Sequence, residues 1–322
     1  MMRALPYLLH GTTLALAWFL LLNVAATAVV AIVSARLTKR AHAASPGVWL
    51  ALRLLPAALS IAFVAMVFLP SYWRYEPREL VEGFDVTLSA LAVLAIAVIG
   101  TAAVRGVSAW RRAARRTERW MRAGRPLTLP DTSMPAFAID TDAPVMALVG
   151  VLRPRLLITR PVLDALTDEE LRAAAAHELG HRRAWDNLKR LAMRAAPDVL
   201  SATAAARALE RRWAAASEHV ADRGAGESGR ARCALASALV KVARMTPPAT
   251  AIAEPISALL DGGDITSRVR SLLEDAPSAG TRRSARWLAL AIAIPVGALA
   301  LGYTPLLRIV HGVTEILVNT LP

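Results

Sequence analysis

The sequence predicts an α-rich integral membrane protein with four transmembrane helices and one polar α+β domain between the third and fourth. Hydrophobic residues make up 55% of its 322 positions, more than a soluble chain usually carries. The excess is concentrated in four blocks free of Asp, Glu, Lys and Arg, between Arg3 and Arg36, Arg53 and Arg74, Asp85 and Arg105, and Arg286 and Arg308. Each block reaches the roughly 20 apolar residues that a helix needs to cross a bilayer core. The remaining polar sequence forms one stretch, Arg105 to Arg283.

Residues 1–104 hold three expected spans, at about 7–34, 49–70 and 86–104. The first has only Arg3 ahead of an apolar run much longer than a signal-peptide core, so it reads as a retained anchor. The loop after it carries Arg36, Lys39 and Arg40 and no acid. The next loop sets Arg74 and Arg78 against Glu76, Glu79, Glu82 and Asp85. The positive-inside bias puts the basic loop in the cytoplasm, and with it the polar domain at 105–285. A fourth span at 286–307 then leaves an extracytoplasmic tail at 308–322. There the spacing of Ile309, Val313, Ile316 and Leu317 predicts a short amphipathic helix on the outer surface. The single Cys233 excludes an intrachain disulfide.

Much of the formal net charge of +13 follows the third span directly, at Arg105, Arg111, Arg112, Arg115, Arg116, Arg119, Arg122 and Arg125, with only Glu118 against them. No nucleic-acid-binding motif accompanies this cluster. Its position, with Trp110 and Trp120, fits a helix at the bilayer surface touching anionic headgroups. The lipid bilayer is therefore the expected partner rather than nucleic acid.

A linker with Pro126, Pro130 and Pro135 follows. Two apolar runs, Val145–Val151 and Leu156–Thr159, flank Arg153-Pro154-Arg155 and predict a β-hairpin. Thr167 and Glu170 form a capping box, with Asp168 and Glu169 in the first turn of a helix whose interior, Leu171 to Ala176, is made of strong helix formers. Pro197 ends or kinks that run, and a second long helix is expected over about Val199 to Ala225. A Ser/Gly/Pro linker at 276–283 leads into the last span.

On the first of these helices the sequence reads His177-Glu178-Leu179-Gly180-His181. Histidines four apart share a helical face, so both imidazoles reach one ion. Glu178 is placed to take a proton from a water held there. The alternative, two histidines on an exposed helix, uses up a residue type that occurs only six times in the chain. A catalytic zinc wants a third protein ligand and an open position. Glu218 and Asp222, one turn apart on the second helix, would alone read as an exposed acidic pair near Arg211, Arg212 and Arg223. Beside the histidines, Glu218 completes a His₂Glu set and Asp222 becomes a hydrogen-bond partner for a ligand imidazole. His219 is the rival third ligand, about 100° around the helix, so only one of the two faces the ion.

The run from His177 to Asp186-Asn187-Leu188, joined with Glu218-His219-Val220-Ala221-Asp222, resembles the gluzincin metallopeptidases of membranes. Two branches are similar: the β-lactam-sensing antirepressor type (BlaR/MecR-like peptidases), and the HtpX and CAAX prenyl protease type. Three helices before the zinc domain and one after it resemble the antirepressor branch. So do Gly150-Val151-Leu152-Arg153-Pro154-Arg155-Leu156 and Arg268-Val269-Arg270-Ser271-Leu272-Leu273. One departure matters. Sensing antirepressors carry a large external domain after the last helix, whereas the tail from Arg308 is short and contains no serine. Direct acylation by a β-lactam is therefore not expected.

The resemblance implies a zinc-dependent endopeptidase that cleaves a cytoplasmic or membrane-proximal protein in regulatory signalling, with a cytoplasmic repressor as a candidate target. Two other readings stand beside it: a quality-control peptidase of the HtpX/CAAX type, and a non-catalytic signalling component with an idle zinc site. Glu178 discriminates against the last, because a structural His₂Glu site needs no base. The strand near Val145–Val151 is a candidate edge for an extended protein or peptide substrate.

Overall fold

The computed structural model describes residues 4–37, 45–77, 85–129, 134–226, 228–245, 257–258, 265–274 and 285–320. The two loops that set the expected orientation, at about 38–44 and 78–84, and the linker at 276–283 lie outside these residues, as does Pro130.

Three long helical stretches open the chain: α1 (Ala4–Leu37), α2 (Pro46–Phe63) continued by a π-helical turn (Val64–Phe68) into α3 (Leu69–Tyr75), and α4 (Val86–Ala123). All three are long and apolar enough to cross a membrane, with hydropathies of 2.4, 2.2 and 2.3. Proline at Pro46 suits a first helical turn, whose N–H groups lack intrahelical acceptors. The Asp85 side chain caps α4 by accepting from the Thr87 amide. This helix does not stop at the expected end of the third span. It runs through the arginine cluster, so one continuous helix joins the apolar segment to the wall of the polar domain.

A sheet of five strands, β1 (Arg125–Leu127), β2 (Ala136–Ile139), β3 (Met146–Val149), β4 (Arg155–Thr159) and β5 (Ser257–Ala258), has the order β1-β2-β4-β3-β5. The predicted hairpin is present as antiparallel β3 and β4, with Met146 opposite Ile158. Its turn places Gly150 at φ +93°, where a side chain is strained. Strand alternation sends Met146, Leu148, Leu156 and Ile158 into a core with Ala173–Ala175, Leu235, Leu239 and Leu272. Ala147, Val149 and Leu157 pack on the other face with Trp120 and Met121 of α4. The outer edge of β3, expected to be open for substrate, is instead paired at Ala147 and Leu148 with β5.

After the short α5 (Arg160–Ala165), α6 (Asp168–Arg183) starts at the predicted capping box, with both reciprocal bonds between Thr167 and Glu170 present. Such a cap contributes about 0.5–2 kcal/mol. The helix does not continue to Pro197. It breaks at Ala184–Trp185, where Trp185 adopts a left-handed φ of 57°, and α7 (Asp186–Ala195) begins. No glycine or proline marks this break. It is held by tertiary contacts: Asp186 bonds back to His181, and Asn187 Nδ2 donates to the Leu148 and Gly150 carbonyls of the hairpin. The second expected helix opens as a 3₁₀ turn (Val199–Ala202) capped by Asp198, and α8 (Ala204–Ala225) follows.

α9 (Gly229–Met245) and α10 (Ile265–Leu273) complete the domain, and α11 (Ala285–Thr320) is one unbroken helix. The tail segment after Arg308 is thus a continuation of the preceding helix and not a separate surface element. Along this helix Leu307, Val310 and Thr314 are buried against α1, the π turn and α3. Tyr303 Oη donates to the Met66 carbonyl within the π turn.

The polar domain is bolted to the membrane helices. Val30 and Trp49 join Met193, Leu200, Leu209 and Trp213 in one core. At its centre Arg53 of α2, 1% exposed, pairs with Asp198 and Glu210. Removing one partner of so buried a pair typically costs about 3–5 kcal/mol.

Candidate metal centre

α6 carries His177, Glu178 and His181, and α8 crosses it closely enough to bring Glu218 to the same point. Gly180 permits the crossing: a Cβ there would stand 3.3 Å from the Ala221 Cα. His177, Glu178, His181 and Glu218 are all 0% exposed. The two Nε2 atoms lie 3.1 Å apart, with the rings 82° from coplanar. Glu218 presents Oε2 at 3.3 Å from His177 Nε2 and Oε1 at 3.4 Å from His181 Nε2. Ligand atoms of these three residues all fall within 4.8 Å of one another. His219 is half-buried and outside the group.

Each imidazole is backed by a carboxylate. His177 Nδ1 stands 2.9 Å from Asp222 Oδ1, and His181 Nδ1 stands 2.8 Å from Asp186 Oδ2. A proton on each Nδ1 then turns both Nε2 lone pairs inward, the tautomer a metal ligand requires. Asp222 is itself clamped by Arg268 of α10, whose Nε and Nη2 donate to Oδ2 and Oδ1 at 2.8 and 2.6 Å. Arg268 Nη1 also lies 3.1 Å from Glu218 Oε2.

The electrostatics ask for a cation. Burial disfavours the His181 imidazolium, yet the Asp186 and Glu218 carboxylates outweigh it and raise its pKa to about 10. Burial likewise works against ionised Glu218, but both histidines hold its pKa far below the usual range. The imidazoles thus face a negatively charged surround, which a divalent cation at the two Nε2 atoms would also satisfy. Two imidazole nitrogens with one carboxylate is also a donor set that suits zinc. Glu178 differs from Glu218 in electrostatics: burial pushes its carboxyl up to about 7, whereas Glu218, paired with both histidines and Arg268, is held low. A carboxyl poised near neutrality beside a metal site is suited to proton transfer.

Sequence reasoning named His177, His181, Glu178, Glu218 and Asp222, and the structure brings all five together. It gave Asp186 and Arg268 no role beyond a family pattern. Asp186 lies five residues past His181, and only the break at Trp185 lets it fold back. Arg268 did leave a signal, since it occupies the apolar stripe Ile265, Arg268, Val269, Leu272 of a short helix.

A search of curated proteins finds no match to the chain. The profile of peptidase family M48 matches residues 111–285, more than half of the chain and the whole of the described metal centre. The match is to the family and does not single out the antirepressor type. The chain therefore belongs to peptidase family M48, metallopeptidases that are typically zinc-dependent.

Proposed function

We propose that the chain is a membrane-embedded zinc endopeptidase that cleaves a cytoplasmic or membrane-proximal protein. In this reading His177, His181 and Glu218 hold the zinc, Glu178 is the base, and Asp222 orients His177. Glu178 carries the argument: a fully buried carboxyl beside the two histidines, outside the group of ligand atoms and with a pKa near neutrality, has no use in a purely structural site. Bound zinc supplies Lewis acidity to the scissile carbonyl and to the attacking water. Glu178 accepts that water's proton and passes it to the leaving amine. The carboxylates of Asp222 and Asp186 keep the imidazoles oriented while charge develops.

The cytoplasmic position of the site, with α11 as a fourth span, rests on the basic loop after α1 and the mixed loop before α4. A regulatory role rests on the resemblance to membrane antirepressor peptidases. The test compares peptides released in membranes carrying wild-type protein or Glu178→Gln. Cleavage should fall by about 10²–10⁴-fold, the usual share of a general base, while about one zinc per chain is retained. Loss of zinc in the variant, or unchanged cleavage, would reject the assignment.

A further inference from the structure

A charge inside an otherwise apolar span usually marks function, and Arg53 is such a charge. Its Nε donates to Glu210 Oε1 and its Nη1 to Asp198 Oδ2, both at 2.9 Å. Nη2 donates to the Met193 carbonyl and to Ser201 Oγ, both at 2.8 Å. All four acceptors belong to one joint: the last turn of α7, the 3₁₀ turn and the second turn of α8. Asn23 of α1 grips the same joint, accepting from the Val199 amide at 2.9 Å and donating to the Pro197 carbonyl at 3.0 Å.

This joint connects the partners of both ligand imidazoles. α7 opens with Asp186, which holds His181, and α8 carries Glu218 and Asp222. Glu210 and Glu218 are eight residues apart on one helix, about 12 Å along its axis. A shift of the joint therefore moves Glu218 relative to the histidines of α6.

We propose that Arg53 is a positioning residue of the active site: from within the membrane, α2 sets the α7–α8 joint and so holds Glu218, Asp222 and Asp186 in register with His177 and His181. α1 and α2 are then part of the catalytic scaffold, and a change in their packing reaches the site through Arg53 and Asn23. The inference deepens the metallopeptidase reading and rests on it.

The test uses full-length protein in detergent, loaded with Co(II) for its ligand-field spectrum and with zinc for turnover of labelled β-casein. The wild-type spectrum reports first whether a His₂-carboxylate centre exists, so an error in the metal reading appears in the parent protein. Arg53→Lys keeps the charge but loses the fork; Asn23→Ala loosens the same joint from α1. Both should shift the Co(II) bands, speed metal loss to a chelator by about tenfold or more, and lower kcat while KM changes little. Arg53→Lys should be the more affected. If Arg53→Lys does not fold, Asn23→Ala carries the same expectation alone. A lowered melting temperature with unchanged Co(II) spectrum, metal retention and kcat would make Arg53 a membrane bolt only and overturn the proposal.

Discussion

His177, His181 and Glu218 in the polar domain, and Glu76, His311 and Glu315 where α3 meets α11, are the two groups whose ligand atoms lie within 4.8 Å of one another among the described residues. Each places a His and a partner one turn apart on a helix and draws a third residue from another element. The first group is fully buried; the second is only partly buried. In the first, each His turns one nitrogen to a supporting carboxylate and the other to the centre. In the second, His311 Nδ1 faces Glu76 itself at 3.6 Å, and its ring is held by stacking on Tyr75. Ligand types at ligand spacing are therefore not enough. Burial, and a carboxylate behind each imidazole, are what distinguish the first group from the second.

The largest effect should come from the ligands themselves. His177→Ala or His181→Ala should take metal content in purified protein from about one per chain to near zero, since a site reduced to two ligands holds zinc poorly. His311→Ala should leave it unchanged. If metal is lost with His311 instead, the contrast between the two groups collapses. A smaller effect is expected from the supports. Asp222→Asn and Asp186→Asn should each weaken zinc affinity by about 10–100-fold, read by competition with a chromogenic chelator. Equal affinity in all three proteins would mean that burial alone makes the difference.

The smallest effect concerns what anchors α6. Burial alone would raise the Glu170 carboxyl, but bonds from Lys241, Ser237 and the Thr167 amide outweigh it and hold its pKa at about 2, against an ordinary 4.5. A depressed folded-state pKa stabilises the fold above the unfolded value and ceases to do so as pH falls through the folded one. The melting temperature of the wild type should thus exceed that of Glu170→Gln at neutral pH. The gap should close between about pH 4.5 and 2. A gap that persists undiminished at the acid end would assign the difference to packing.

Local chemistry made much of this protein legible from sequence. Charge-free blocks announce membrane helices because no unpaired charge is tolerated there. The capping box announces the start of α6, and a four-residue spacing puts His177 with His181, and Glu218 with Asp222, on shared faces. These signals lie within one or two turns of helix, where geometry is set by the backbone.

Only the tertiary structure decided the rest. The break at Trp185 carries no glycine or proline; it exists because Asp186 and Asn187 find partners on α6 and β3. Arg268 and Arg53 look like ordinary basic residues in a chain rich in arginine, yet each lies in the buried stripe of its helix and meets carboxylates on another element. That Glu218 and not His219 faces the two histidines depends on which face of α8 meets α6, and Gly180 permits that approach. Sequence alone determined which residues could bind a metal and which segments could enter a membrane, since both follow from side-chain chemistry and helical period. Which carboxylate faces which histidine, and that Arg53 of α2 meets the joint between α7 and α8, follow from packing between elements far apart in the chain, for which no local pattern exists.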